Sequence, residues 1–277
     1  MKSDQRKTPA IIYCTVTFLV MTTIIVAMVL SGRGRTSYDI VFFGDSRVGN
    51  DRSETALPGL LEKATGYTVL NAGLGGTTLA ISPDDNINAQ YTMVNLSKAV
   101  LLGDFGPQKA AIPKKYIENN EIIDYMPETI DKLSEVDFSK VRCFIIEQGT
   151  NDYLAGIPLT NPEDKYDEMS VEGALRKSID NLRKAAPQAQ IIVISQCDTF
   201  TLAGYGDEVD LSFGTEKDYA DYEQQICEET GVSFVDFYDE SGINRDNLFD
   251  FLFDGLHPND AGNQVLIDMI TEKLNLE

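Results

Sequence analysis

The sequence has very little histidine, because His257 is the single one in the chain. Near neutral pH, imidazole is the side chain that takes up and releases protons without a shifted pKa, so proton transfer by a histidine here must use this residue. A metal site formed by Asp45, Asp254 and His257 is a weak alternative, since it would lack a second imidazole. We therefore expect no bound metal.

Cysteine is scarce as well, with four in the chain. Cys14 lies in an apolar N-terminal run, and the three that remain are an odd number without metal-ligand spacing. Their pattern excludes a disulfide framework. Cys143 and Cys197 lie in or beside apolar runs typical of strands, and we interpret them, with Cys227, as core residues.

Basic residues are also few, since 23 Lys and Arg stand against 44 Asp and Glu, for a net charge of −21. Such a charge repels nucleic acid and anionic lipid head groups. We expect neither as a binding partner, and the simplest role of the charge is solubility.

Residues Ile11 to Leu30 are uncharged and mostly apolar, and a helix of this length spans about 30 Å, the thickness of a bilayer core. A cleaved signal peptide has a shorter apolar region, of about 7 to 15 residues, and a small-residue cleavage site. Val29-Leu30-Ser31-Gly32 lacks that site. We predict that residues 1–35 form a cytoplasmic tail and an uncleaved transmembrane anchor.

The charges that flank this run favour one orientation in the membrane. Lys2, Arg6 and Lys7 precede it, whereas Arg33 and Arg35 follow it. Because the more basic flank stays in the cytoplasm, the remaining domain is expected to lie outside it.

From residue 36 to 277 the pattern predicts a single α/β domain in which short apolar strands alternate with helices. Each strand is too apolar to be half-exposed, which favours five parallel strands with helices on both faces. The predicted strands are Ile40–Phe43, Thr68–Leu70, Val141–Ile146, Ile191–Ser195 and Ser233–Phe237.

Polar, glycine-bearing turns follow these strands, and ligands of parallel sheets bind beyond the carboxyl ends of the strands. The turns are Gly44-Asp45-Ser46-Arg47, Asn71-Ala72-Gly73-Leu74-Gly75-Gly76 and Gly149-Thr150-Asn151-Asp152. A fourth, Asp254-Gly255-Leu256-His257, precedes Pro258, which keeps His257 out of a helix. All four are expected at one edge of the sheet.

These turns supply the groups needed for acyl transfer. Ser46 is a candidate nucleophile, His257 its base, and Asp254 the carboxylate that orients the base. An oxyanion also needs hydrogen-bond donors, and the backbone N–H groups of Ser46 and Gly73 and the side-chain amide of Asn151 are the candidates.

Gly44-Asp45-Ser46, Gly149-x-Asn151-Asp152 and Asp254-x-x-His257-Pro258 occur in the order typical of the SGNH/GDSL hydrolase superfamily, which the chain resembles. Ser46, Gly73, Asn151 and His257 occupy the positions of its four named residues. The resemblance implies a flavodoxin-like three-layer α/β/α sandwich and a serine hydrolase of esters that needs no cofactor.

Three functions remain open at this point. The first is a membrane-anchored esterase that removes short acyl groups, such as acetyl, from cell-surface glycans, and lipid esters are the other substrate class. The second is an acyltransferase that passes the same acyl-enzyme to a hydroxyl other than water. The third is a catalytically silent, tethered binding module, against which the retained Ser46, Asn151, Asp254 and His257 argue.

Residues 77–139 are longer than one crossover helix requires and are interpreted as an insertion, either a lid or an embellishment far from the site. One helix is expected around Met93–Leu101, a second at Ile122–Leu133, and a loop at Gly103–Pro113. A second loop near the site is expected at Phe200–Phe213, where a solvated acidic segment is favoured over a calcium site.

Overall fold

The structure, a computed structural model, describes residues 35–82, 88–119 and 125–276. Residues from Ser37 onward form one compact unit. The predicted membrane span, Ile11–Leu30, lies outside the described residues. Within the described ranges, no helix is both long and apolar enough to cross a bilayer.

The central sheet has five parallel strands, as predicted. In chain order the strands are β1 (Ile40–Gly44), β2 (Val69–Asn71), β3 (Cys143–Glu147), β4 (Gln190–Ile194), β5 (Phe200–Thr201), β6 (Gly204–Tyr205) and β7 (Ser233–Val235). The sheet order is β2-β1-β3-β4-β7, while β5 and β6 form a separate antiparallel hairpin. This order is that of flavodoxin-like sheets, whose ligands bind where the order reverses, here beside β1.

Helices cover both faces of the sheet. They are α1 (Ser46–Gly49), α2 (Leu57–Thr65), α3 (Met93–Leu102), α4 (Gly106–Asn119), α5 (Met126–Ser134), α6 (Thr150–Leu154), α7 (Val171–Ala185), α8 (Glu216–Thr230), α9 (Leu248–Phe251) and α10 (Asp260–Lys273). Helices α3, α5, α7 and α8 pack on one face. Helices α2, α9 and α10 pack on the other.

The alternation of side chains along the central strands produces these two cores. Val41 and Phe43 of β1 join one core, and Ile40 and Phe42 join the other. All four are fully buried. Cys143, Cys197 and Cys227 are buried free cysteines, as the sequence predicted.

One prediction within the insertion was wrong. Gly103–Pro113 was expected to be a loop, but α4 begins at Gly106 and continues beyond this segment. Pro107 is compatible with this helix because it lies in the first turn, where its missing N–H costs nothing. Asp104 Oδ1 accepts the Gly106 N–H at 2.8 Å, just ahead of this helix. The next helix, α5, begins at Met126, after residues 120–124, which the structure does not describe.

Candidate active site

Ser46 is the first residue of α1, directly beyond the carboxyl end of β1. The Asp45 side chain caps this short helix by accepting the Arg47 N–H at 3.0 Å. This turn presents the Ser46 side chain, which is half-buried, at the edge of the sheet.

The structure brings Ser46, His257 and Asp254 together across more than two hundred residues of sequence. His257 Nε2 lies 2.9 Å from Ser46 Oγ, and His257 Nδ1 lies 2.7 Å from Asp254 Oδ2. Because a carboxylate accepts, Nδ1 carries the hydrogen and the Nε2 lone pair faces the serine hydroxyl.

The loop that carries His257 is held by Asp254 itself. Asp254 Oδ1 accepts the backbone N–H groups of Leu256 at 3.0 Å and His257 at 2.8 Å. Partial burial would raise the pKa of Asp254, but hydrogen bonds from the His257 backbone and ring, and from Leu256, hold that pKa below its ordinary value. Asp254 therefore stays ionised. The Phe253 ring also stacks on the imidazole, with 5.7 Å between the ring centroids.

The three predicted oxyanion donors differ in what they contact. The Ser46 N–H faces no acceptor among the residues that the structure describes. The Gly73 N–H donates to Asn71 Oδ1 at 3.1 Å. The Asn151 amide donates to Asp45 Oδ2 and to the Thr77 carbonyl, each at 3.0 Å. Two of the three donors would therefore have to share or exchange partners to bind an oxyanion.

Gly73 is required for a reason other than substrate access. A Cβ at this position would lie 2.7 Å from the Gly49 backbone nitrogen, and a Cβ at Gly49 would lie equally close to the Gly73 carbonyl carbon. The two glycines let the turn after β2 lie directly against α1. The absence of a Cβ at Gly73 therefore serves this backbone contact.

A layer of buried charged residues lies beneath the reactive groups. Arg47 Nη1 lies 3.1 Å from Glu147 Oε1, with both side chains 2% exposed. Arg47 Nη2 also donates to Cys197 Sγ at 3.1 Å. Burial raises the pKa of Glu147 to about 8, even though the positive charge of Arg47 acts to lower it. Burial likewise raises the pKa of Asp45.

Asp152 extends this layer toward the insertion. It is fully buried and accepts the backbone N–H groups of Leu79 at 2.8 Å and Ala80 at 3.0 Å. Burial raises the pKa of Asp152 to about 7, although both hydrogen bonds favour the ionised form. Asp152 thus fixes the start of the insertion beside Asn151.

Glu216 and Glu223 of α8 complete the layer, and both are fully buried. Glu216 accepts the Thr199 hydroxyl at 2.7 Å, and burial raises its pKa to about 8. Neither carboxyl oxygen of Glu223 has a hydrogen-bond partner among the described residues, and burial raises the pKa of Glu223 well above its ordinary value. Gly149, at φ +135°, is required here because its Cβ would lie 2.3 Å from Glu223 Oε1.

The acidic loop near the site is tied to other parts of the fold. Arg245 donates to Asp207 Oδ1 at 2.6 Å and to Glu208 Oε1 at 2.7 Å. Asp210 accepts the backbone N–H groups of Ser212 and Gly214. The β5–β6 hairpin at the start of this loop contacts the histidine loop, because Phe200 N–H donates to the Gly255 carbonyl at 2.8 Å.

Two cavities adjoin Ser46 and Asn151. An open cleft of about 940 Å³ is lined by Ser46 and His257 together with Phe253 and residues of α1 and α10. A smaller cavity of about 270 Å³ adjoins Asn151 and is lined mainly by small side chains, among them Thr78 and Ala155.

Several residues around the site escaped sequence reasoning. Asn71, Arg52 and Tyr125 hold the turn after β2, and Arg47 and Glu147 form the buried ion pair. The sequence does contain one sign of this pair. Glu147 directly follows the apolar run Cys143–Ile146, and a charged residue in a buried strand usually has a partner of opposite charge.

This fold and this arrangement are those of a serine hydrolase whose site lies at the carboxyl edge of a flavodoxin-like sheet. The model of the GDSL-like lipase/acylhydrolase family matches residues 42–265, which is well over half of the chain. The chain belongs to this family, as the sequence motifs predicted, and is a serine hydrolase acting on ester bonds.

Solved structures share the fold at low sequence identity. A protein from Lactobacillus plantarum is 18% identical with a TM-score of 0.58, covering 86% of this chain and 96% of its own. A protein described as a possible lipase from Chitinophaga pinensis DSM 2588 is 17% identical with a TM-score of 0.54, covering 84% and 96%. A search of curated protein sequences gives no match to this chain.

Proposed function

We propose that the protein is a serine esterase in which Ser46 is the nucleophile, His257 the general base and acid, and Asp254 the carboxylate that orients the imidazole. The observation that carries this proposal is the pair of contacts at 2.9 Å and 2.7 Å that joins the three side chains. Both lie within the reach that proton transfer requires.

The reaction proceeds in two steps. Ser46 Oγ attacks the ester carbonyl carbon while His257 Nε2 takes its proton, and the tetrahedral intermediate breaks down when Nε2 returns that proton to the leaving alkoxide. Water then attacks the acyl-Ser46 ester with the same imidazole as base. Asp254 stabilises the imidazolium formed in each step.

The developing oxyanion is bound by the N–H groups of Ser46 and Gly73 and by the Asn151 amide. Without substrate, the Gly73 N–H donates to Asn71 Oδ1 and the Asn151 amide donates to Asp45 Oδ2, and each donor shares or exchanges that acceptor as the oxyanion forms. A donor of this kind contributes about 2.7–4 kcal/mol to stabilising the transition state.

The proposed substrate is a short acyl ester, such as an acetyl ester, of a hydroxyl-rich glycan. The larger cleft supports this proposal, because it is lined by amides and carboxylates that hydrogen-bond hydroxyls, and its carboxylates also repel anionic head groups. The amides are those of Asn50 and Asn263, and the carboxylates those of Asp51 and Asp260. The smaller cavity beside Asn151 offers room for a short acyl group.

The first test compares the full-length protein with Ser46→Ala on p-nitrophenyl acetate. Turnover should fall to the background rate, while the circular dichroism spectrum and unfolding midpoint stay those of the unmodified protein. Retained turnover in this variant would exclude Ser46 as the nucleophile.

The second test measures kcat/KM for esters of increasing acyl length and for acetylated oligosaccharides. The proposal expects acetyl esters to be the best substrates and values to fall as the chain lengthens. A preference for long-chain esters would replace the glycan ester with a lipid ester.

We further propose that residues 11–30 anchor the enzyme in the cell membrane with the catalytic domain outside the cytoplasm. The uncharged, apolar composition of this run and the charges beside it support this proposal. Alkaline phosphatase fused to the C-terminus should be active in cells, and an active cytoplasmic reporter at the same place would reverse the orientation.

A further inference from the structure

The turn after β2, which carries Gly73, is held by side chains from three different parts of the chain. The first is Asn71, which accepts the Gly73 N–H and donates to the carbonyls of Val48 at 3.0 Å and Asp51 at 3.2 Å. This side chain ties the turn to the end of α1.

The second is Arg52, in the segment after α1. Its guanidinium donates to the Asn71 carbonyl at 3.0 Å and also to the Gly73 carbonyl. The two bonds grip the backbone on both sides of Ala72. Because the guanidinium is planar and always charged, its bonds to carbonyl oxygens are directional and strong.

The third is Tyr125, which precedes α5 within the insertion. Its ring lies under the Arg52 guanidinium at 3.9 Å. Its hydroxyl accepts the Gly75 N–H at 3.1 Å and donates to Asn50 Oδ1 at 3.0 Å. The insertion therefore contacts the segments that follow both β1 and β2. At Tyr125, these contacts contradict the interpretation of the insertion as an embellishment far from the site.

We propose that Arg52 and Tyr125 are positioning residues for catalysis: together they hold the Gly73 N–H where the oxyanion forms. The inference rests on the proposed function of Ser46 and Gly73. Neither side chain is required to touch the reacting atoms, so their effect should be on the transition state and not on substrate binding. A misplacement of about 1 Å in such a site can cost about 10²-fold in rate.

The test uses the full-length protein and Tyr125→Phe, which keeps the ring under Arg52 and removes the hydroxyl. We expect kcat on p-nitrophenyl acetate to fall about 10-fold with KM nearly unchanged. The affinity for a boronic acid that forms a tetrahedral adduct on Ser46 should fall by the same factor. Tyr166→Phe is the matched control, because Tyr166 is an exposed tyrosine whose ring contacts Lys165, and it should leave all three quantities unchanged.

A second variant, Arg52→Ala, removes the grip on both carbonyls, and kcat should fall about 10²-fold. If the two residues act as one unit, the double variant Arg52→Ala/Tyr125→Phe should lose less kcat than the product of the fold-losses in the two single variants. Unchanged kcat and boronate affinity in Tyr125→Phe, or a loss confined to KM, would overturn the inference. Ser46→Ala would still be inactive in that case, so the proposed function would stand.

Discussion

The reactive groups and the charged layer beneath them have opposite environments. The side chains of His257 and Asp254 are 21% and 42% exposed, whereas Arg47 and Glu147 are each 2% exposed. The two exposed groups belong to one short loop and contact each other, and His257 also contacts Ser46. The buried groups come from several strands and helices.

This difference separates chemistry from stability. Changing an exposed group alters the reaction at little cost to folding, because water replaces the lost contacts. Changing a buried ionisable group leaves its partner in the interior without a hydrogen-bonding or opposite charged group, and this lowers the free energy of unfolding. Three substitutions test this division.

The largest effect is expected for His257→Ala. Without a base for Ser46, kcat/KM for p-nitrophenyl acetate should fall by about 10⁴-fold or more. The unfolding midpoint should stay nearly unchanged because the imidazole is only partly buried and contacts few groups besides Asp254, Ser46 and Phe253. Gln264→Ala on α10 is the control, since its side chain is exposed and bonds Asp268. A large loss of stability in His257→Ala would break the division.

The next effect is expected for Arg47→Met, measured by urea denaturation. Removing Arg47 leaves buried Glu147 without its ion-pair partner and Cys197 without its hydrogen-bond donor, and should lower the free energy of unfolding by about 1–3 kcal/mol. Arg245→Met is the matched control, because its partners Asp207 and Glu208 are exposed and such pairs contribute little. Equal losses in both variants would contradict the role given to burial.

The third effect is a gradual dependence of stability on pH, which the buried carboxyl groups produce. The folded pKa values of Glu147 and Glu216, about 8, lie above the ordinary value of 4.5, so the folded state holds more protons between these limits. Their contribution to stability is complete below pH 4.5 and is lost as pH rises to about 8. The unfolding midpoint should therefore be lower at pH 8.5 than at pH 5.5.

Glu223→Gln sharpens this prediction, because it replaces a buried carboxyl that has no hydrogen-bond partner in the described part of the chain with a neutral amide. The drop in midpoint between pH 5.5 and 8.5 should become smaller. Glu228→Gln on the exposed side of the same helix removes an equal charge and should keep the full drop. The same change in both variants would assign the pH dependence to net charge.

Sequence patterns predicted the sheet well because its strands are short apolar runs closed by glycine-bearing turns. The predicted strand at Val141 begins two residues later, at Cys143, which is within the usual uncertainty of a strand boundary. The α7 helix likewise buries Val171, Leu175 and Leu182, which recur at the spacing of one helical face. Periodicity is informative here because each element buries one defined face.

Other features depend on contacts between distant residues and leave no local pattern. Nothing near Tyr125 indicates that its hydroxyl contacts Gly75, fifty residues earlier. Gly73 could be singled out, but its close contact with Gly49 could not, because the approach is set by how two loops pack. Glu223 is likewise an ordinary position of an amphipathic helix in the sequence alone.

The most direct test of the account is to identify the residue that becomes covalently modified. A fluorophosphonate added to the full-length protein should block turnover as one equivalent is incorporated, and peptide mass spectrometry should find the adduct on Ser46. Ser46→Ala should incorporate none. Full ester turnover by protein completely modified at Ser46, or inactivation through an adduct on another residue, would contradict the account.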